Sequence, residues 1–215
     1  MNEIIMNIKL FEEFKSEFKE RMFSVLCSQL RGLFISQSSK DFTLIGNFKI
    51  GSFIYDAILL TNTDVFLVEF KRNVTGAIYV NDSGWTSISG LINSGGQGAA
   101  NPWEQIREKR NVLYGLFRKK GFQKMFIKTI ILFEKPFELI RGDTMFQFEN
   151  HKWFLTAELS GLSNLLRENA SSGAPVNFLK KGLSVLLPNR IIKEKPRSLT
   201  KRIRMLFRKW WKDVA

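Results

Sequence analysis

The sequence predicts an α/β protein: a central mixed β-sheet flanked by helices, with extra helices toward the C-terminal end. Three observations lead there. Strand-length apolar runs crowd residues 33–88, helical periodicity brackets them at 8–30 and 102–119, and a 44% hydrophobic composition with twenty phenylalanines supplies a substantial core. A chain of 215 residues suits one globular core with an appendage. The expected divisions are 1–157 for the core, 158–188 for a helical extension packed on it, and 189–215 for a basic C-terminal helix or tail.

In chain order, apolar residues at helical spacing (Leu10, Phe14, Phe18, Phe23, Leu26) run from about Ile8 to Leu30 with acids and lysines between them. This predicts an amphipathic opening helix. Strand-like runs follow at 33–37, 42–50, 53–60, 64–71 and 77–88, separated by short turn-rich stretches. The small-residue stretch "SGLINSGGQGAAN" lacks the glycine spacing and Lys-Ser/Thr pair of a phosphate-binding loop. It reads as a mobile loop, with a lid over a site as its other use. Asn101 as N-cap, Pro102 at the first helical position and Glu104 at the third then open a helix that should run to about Lys119. "MFIKTIILFE" is a further strand, followed by strand candidates at 144–148 and 152–156 and two short helices at 158–169 and 175–186. After the hinge-like "PNRIIKEKPRS", a last basic helix spans about Leu199 to Lys212.

Net charge is +13 with a pI near 10, which favours polyanionic partners such as nucleic acid or an anionic membrane surface. Cys27 is the only cysteine, so no internal disulfide and no cysteine cluster for zinc can form, as suits a reducing compartment. The opening "MNEIIMNIKLFEEF" has acids where a secretory signal needs bases, and no apolar run reaches membrane-spanning length. A cytoplasmic location is expected. His151, the single histidine, lies beside Trp153 and has a surface or structural role, which argues against catalysis built on a histidine base.

Chemistry concentrates where "FIYDAILL" and "DVFLVEFKRN" meet across "TNTD". A symmetric hairpin there pairs residues whose numbers sum to 125, so Asp56 faces Glu69. Cross-strand Cβ atoms lie roughly 5 Å apart, and like charges at that distance destabilise a sheet. Ile58, Leu60, Val65 and Leu67 share the face of the two acids, while Tyr55, Ala57, Leu59, Phe66, Val68 and Phe70 fill the other, so both faces are covered. Two carboxylates in such a place must share a proton or a cation. Mg²⁺ suits them, because it takes oxygen ligands and commonly uses one or two protein carboxylates. Lys71, one pleat beyond Glu69, is placed to orient or activate an attacking water, or to offset charge on a phosphoryl transition state. A lone Glu-x-Lys is more often a solvated ion pair. What singles this one out is the facing aspartate and a polar residue on the next helix. There Gln105, Lys109, Val112 and Leu116 follow one stripe beside Ile106, Leu113 and Phe117, which puts Gln105 at the edge of the sheet-packing face. Gln105 is either an ordinary satisfied amide or a partner for the metal ligands, Lys71 or a substrate phosphate.

Asp56 followed a strand later by Glu69-x-Lys71 resembles the PD-(D/E)xK nuclease core. With Gly76, Trp85 and then Asn101-Pro102-x-x-Gln105 opening a helix, residues 45–118 are similar to its nuclease-related domain (NERD) branch. The resemblance implies a restriction-endonuclease-like core and metal-dependent hydrolysis of phosphodiesters, most naturally in DNA, with RNA as the other choice. It assigns Mg²⁺ or Mn²⁺ to Asp56, Glu69 and the backbone carbonyl of Phe70, water positioning to Lys71, and support of the site to Gln105. In that family an acid on the first helix often joins the metal, and Glu20 or Glu17 is the matching candidate. The contrasting reading is a catalytically inactive basic module with the same fold that binds nucleic acid or recruits a partner.

The tail carries its own signal. From Asn189 onward ten Lys or Arg stand against Glu194 and Asp213, so +8 of the +13 lies there. Lys201, Arg202, Arg204, Arg208 and Lys209 are candidate phosphate contacts and Trp210 a candidate base-stacking side chain. The same basic amphipathic helix also suits docking on its own domain, a protein partner, a second copy of the chain or, less well, a membrane surface.

Overall fold

A strand that is apolar on both faces has to be covered twice, and Val65–Lys71 is buried at every position. The computed structural model describes residues 6–36, 42–61, 63–73, 75–92, 101–122, 126–141, 151–170 and 186. Their order is β1 (Met6–Leu10), α1 (Glu17–Ser36), β2 (Phe42–Ile50), β3 (Phe53–Thr61), β4 (Val65–Lys71), β5 (Gly76–Asn81), β6 (Gly84–Ser87), β7 (Gly90–Leu91), α2 (Pro102–Lys119), β8 (Ile127–Phe133), β9 (Phe137–Arg141), β10 (Phe154–Glu158) and α3 (Leu162–Glu168). A six-stranded sheet runs β1-β2-β3-β4-β8-β10, and a four-stranded sheet runs β7-β6-β5-β9. The larger sheet is mixed, because β2-β3-β4 is an antiparallel meander whereas β1, β8 and β10 join as parallel strands. This is the α/β architecture that the sequence predicts.

Alternation along the strands sorts the core into two layers. Phe66, Val68 and Phe70 face Met22, Leu26 and Leu30 of α1 together with Leu162 and Leu166 of α3. Val65 and Leu67 belong instead to the layer of Ile106, Leu113 and Phe117 of α2, which Trp85 and Ile78 of the smaller sheet extend. Two glycine and cap features fix the helices. A Cβ on Gly46 of β2 would come within 2.5 Å of the Phe23 ring, so glycine lets α1 lie close on the sheet. Asn101 caps α2 as expected: its side chain accepts from the Trp103 N–H at 3.0 Å, and Pro102 follows.

Four expectations need correction. Residues 8–10 belong to a strand, since Ile8 and Leu10 fall within a segment that pairs with β2, and the helix begins only at Glu17. Residues 33–36 are the last turn of α1 rather than a strand, because the buried stripe Met22, Leu26, Leu30, Leu33 continues at helical spacing. The run 77–88 is a hairpin of β5 and β6, not one strand, and β9 arises where no strand was expected, alongside β5. The expected strand at 144–148, the loop at 93–100 and the helix at 175–186 lie outside the described residues, except for Leu186, which is helical and buried against the α2-side core. The whole tail, including Lys201, Arg202, Arg204, Arg208, Lys209 and Trp210, also lies outside them. Among the described residues, no helix is long and apolar enough to cross a membrane.

Candidate active site

The hairpin of β3 and β4 places the acids. Its ladder pairs Leu60 with Val65, Leu59 with Phe66, Ile58 with Leu67 and Ala57 with Val68, the register in which residue numbers sum to 125. Beyond Ala57 the strands leave this pattern. The Asp56 Oδ2 accepts the Phe70 backbone N–H at 2.9 Å, so a side chain takes the place of a ladder carbonyl. On the other side of β3, Gly46 and Phe48 pair with Ala57 and Tyr55, and the intervening Asn47 has a positive φ of 45°. The alternation of β3 turns over at this point: Tyr55 packs with Ile58 and Leu60 instead of with Ala57 and Leu59. The two acids therefore do not stand side by side on one flat face. Asp56 sits in the seam between β3 and β4 and is reached from α1, while Glu69 points toward α2.

Each acid meets a lysine. Lys19 of α1 donates to Asp56 Oδ1 at 2.6 Å and keeps 28% of its side-chain surface. Lys109 of α2 donates to Glu69 Oε2 at 2.6 Å and is itself buried. Lys71 Nζ lies 3.7 Å from Glu69 Oε1 and donates to Gln105 Oε1 at 2.9 Å. Asp56, Glu69 and Lys71 are all 1% exposed or less. Tyr55 braces the arrangement by donating its hydroxyl to the Lys109 carbonyl at 2.9 Å. Asn73 fixes the exit of β4, with its amide donating to the Lys135 carbonyl and accepting the Lys135 N–H, both at 3.1 Å.

Burial and charge push the two carboxylates apart. Burial and the neighbouring Glu69 raise Asp56 above the ordinary carboxylate range, and Lys19 and Lys109 only partly offset them. Burial would raise Glu69 as well, but Lys109, Lys71 and Lys19 outweigh it and hold that acid low. Glu69 is thus the standing anion, and a proton goes first to Asp56. Burial is also the main influence on Lys71 and brings it down to about 8 against the pull of Glu69 and Asp56. Cys27, by contrast, is inert: burial pushes its thiol up to about 12.

Of the residues expected at the site, Asp56, Glu69, Lys71 and Gln105 come together. Phe70 joins them through its N–H. The first helix contributes a cation rather than a third acid. Glu17 is exposed and Glu20 half-buried, and among the described residues neither joins Asp56 and Glu69 in a group of acids arranged to hold a metal ion. Lys19 and Lys109 were not anticipated as site residues. A lysine on a stripe that otherwise packs on the sheet, one turn after Gln105, is the signal that marks Lys109; Lys19, flanked by acids on an amphipathic helix, carries no such mark.

The model of the nuclease-related domain, NERD, matches residues 16–134 of the chain, a span from the start of α1 to the end of β8 that contains all six of these side chains. The chain belongs to this family. No curated protein and no solved structure matches it. Among the described residues of this NERD chain, no group of three or more His, Cys, Asp or Glu is arranged to hold a metal ion. The cluster is instead two carboxylates among three lysines. It nevertheless offers one oxygen to a cation: Glu69 Oε1 is buried and, among the described residues, has no hydrogen-bond donor.

Proposed function

We propose that this NERD chain is a metal-dependent nuclease that hydrolyses phosphodiester bonds in DNA. The observation that carries the reading is Glu69 Oε1, which among the described residues has no hydrogen-bond donor and only the Lys71 ammonium at 3.7 Å, beside a second buried carboxylate. Buried carboxylate oxygens ordinarily find donors, so a bare one fits an oxygen-seeking cation. Asp56, Glu69 and the backbone carbonyl of Phe70 would hold Mg²⁺ or Mn²⁺. Both oxygens of Asp56 are engaged, one of them by Lys19; that side chain is partly exposed and can withdraw into solvent. A bound ion supplies Lewis-acid polarisation of a phosphoryl oxygen and eases deprotonation of water. The rest falls to the chain's own groups. Lys71, held by Gln105, positions the attacking water, and an amine titrating near 8 exchanges a proton close to neutral pH. The cations of the tail, Lys201 to Lys209, would grip the phosphate backbone.

One observation favours a second reading. Three lysines already balance the two acids without any metal, as suits an inactive basic module that binds nucleic acid or recruits a partner. Plasmid cleavage with Mg²⁺, Mn²⁺ or EDTA, run beside Lys71→Ala and Asp56→Asn, separates the two. The nuclease reading expects EDTA-sensitive cutting that falls roughly 10²–10⁴-fold in both variants while DNA binding persists. Binding without cutting by the wild type supports the inactive module. Equal cutting by all three proteins points to a contaminant and defeats the nuclease reading.

A further inference from the structure

The structure leaves one buried ion pair at the site without a task in the chemistry above. Lys109 Nζ lies 2.6 Å from Glu69 Oε2, and both side chains are buried. The other oxygen of the same carboxylate has no hydrogen-bond donor among the described residues. A carboxylate rotates freely about its last bond unless something grips one end. Here the grip is Lys109, so Oε1 is the oxygen left toward Lys71 Nζ, 3.7 Å away. The helix does this twice with one stripe: Gln105 fixes Lys71, and one turn later Lys109 fixes Glu69. Tyr55 anchors that turn from β3 through the Lys109 carbonyl.

We infer that Lys109 is a positioning residue, which pins Glu69 Oε2 so that Oε1, without a hydrogen-bond donor among the described residues, is held on the Lys71 side as a divalent-cation ligand. The inference rests on the nuclease reading. It also opposes the simplest electrostatic expectation. A lysine beside a metal repels it, so a Lys109 that acts only as a counter-charge would weaken binding, and its removal would tighten it. A Lys109 that orients the ligand does the reverse, because loss of groups that orient ligands typically costs 10–100-fold in metal affinity or activity.

The test is Mn²⁺ affinity of the full chain, read by electron paramagnetic resonance of free Mn²⁺, for wild type, Lys109→Met, Glu69→Gln and the double variant. Expected is a roughly 10–100-fold weaker affinity in Lys109→Met, with no further loss when Lys109→Met is added to Glu69→Gln. Should Lys109→Met not fold, Lys109→Gln removes the charge, retains a donor, and carries the same direction with a smaller loss. Unchanged or tighter Mn²⁺ binding in the folded variant overturns the inference while leaving the nuclease reading intact. A wild type that neither binds Mn²⁺ nor cuts DNA removes the nuclease reading and this inference with it.

Discussion

Asp56 and Glu69 share a cluster, yet their surroundings push them in opposite directions, and the difference lies in which side chains reach them. Among the described residues, Glu69 has two ammonium groups within 4 Å, from Lys109 and Lys71, and Asp56 has one, from the more exposed Lys19. Lys71 bears the cost of burial, which outweighs the pull of Glu69 and Asp56. Its folded value is about 8, against an ordinary 10.5 in the unfolded chain. Below pH 8 both states hold the proton and the burial penalty is fully present; between about 8 and 10.5 only the unfolded chain holds it, so stability rises with pH across that window. Relative to Lys71→Met, the metal-free wild type should gain on the order of 3 kcal/mol between these limits, measured by urea unfolding at a series of pH values. A difference that stays flat with pH would contradict the assignment. The pair Glu69 and Lys71 and the edge glutamine were legible from alternation and helix phase, and Asp56 was legible as a member of the cluster but not in the facing register expected for it. Lys19 was not, because a lysine on an amphipathic helix looks the same whether its long chain snorkels to water or turns inward to an acid, whereas Lys109 was marked only by its place among the buried residues of α2.

Elements were legible in proportion to how much of their pattern is local. Helix α2 announces itself through Asn101 and Pro102, and the β3-β4 register follows from two clean alternations around a short turn. The ambiguous cases were short apolar runs. Residues 33–36 fit a strand until the stripe of α1 is followed four turns back, and β1 is only five residues long. The turnover of β3 at Asp56 was hidden for another reason: it accompanies the left-handed backbone of Asn47 on the neighbouring strand, which simple alternation does not encode. That region also explains how α1 delivers Lys19. Gly46 permits the close approach of Phe23, and a methyl group there would strike the ring at 2.5 Å. Gly46→Ala should destabilise the protein by about 1–3 kcal/mol through overpacking, with an unchanged denaturant slope. A loss under about 0.5 kcal/mol would mean that α1 is free to shift.

For the whole molecule, the two-layered cover of the mixed sheet was predictable from strands apolar on both faces, whereas the smaller sheet was not, since β9 joins β5 only across a long crossover. Charge is the other whole-molecule property. A chain lacking residues 189–215 falls from +13 to +5, ten basic and two acidic residues being removed. It should bind DNA more weakly and with a shallower dependence on salt, by up to about 0.9 in slope for each phosphate that the tail would otherwise neutralise, while metal-dependent cutting persists. An unchanged salt slope in a fluorescence anisotropy titration would place DNA binding on the core. All of this turns on whether the buried acids are a cation site that Lys19 occupies in the ion's place. Anomalous diffraction from crystals soaked in Mn²⁺ tests that most directly. A cation site gives a peak about 2.1 Å from oxygens of both Asp56 and Glu69, with Lys19 withdrawn from Asp56. A cluster with no peak and Lys19 still bound to Asp56 would contradict it.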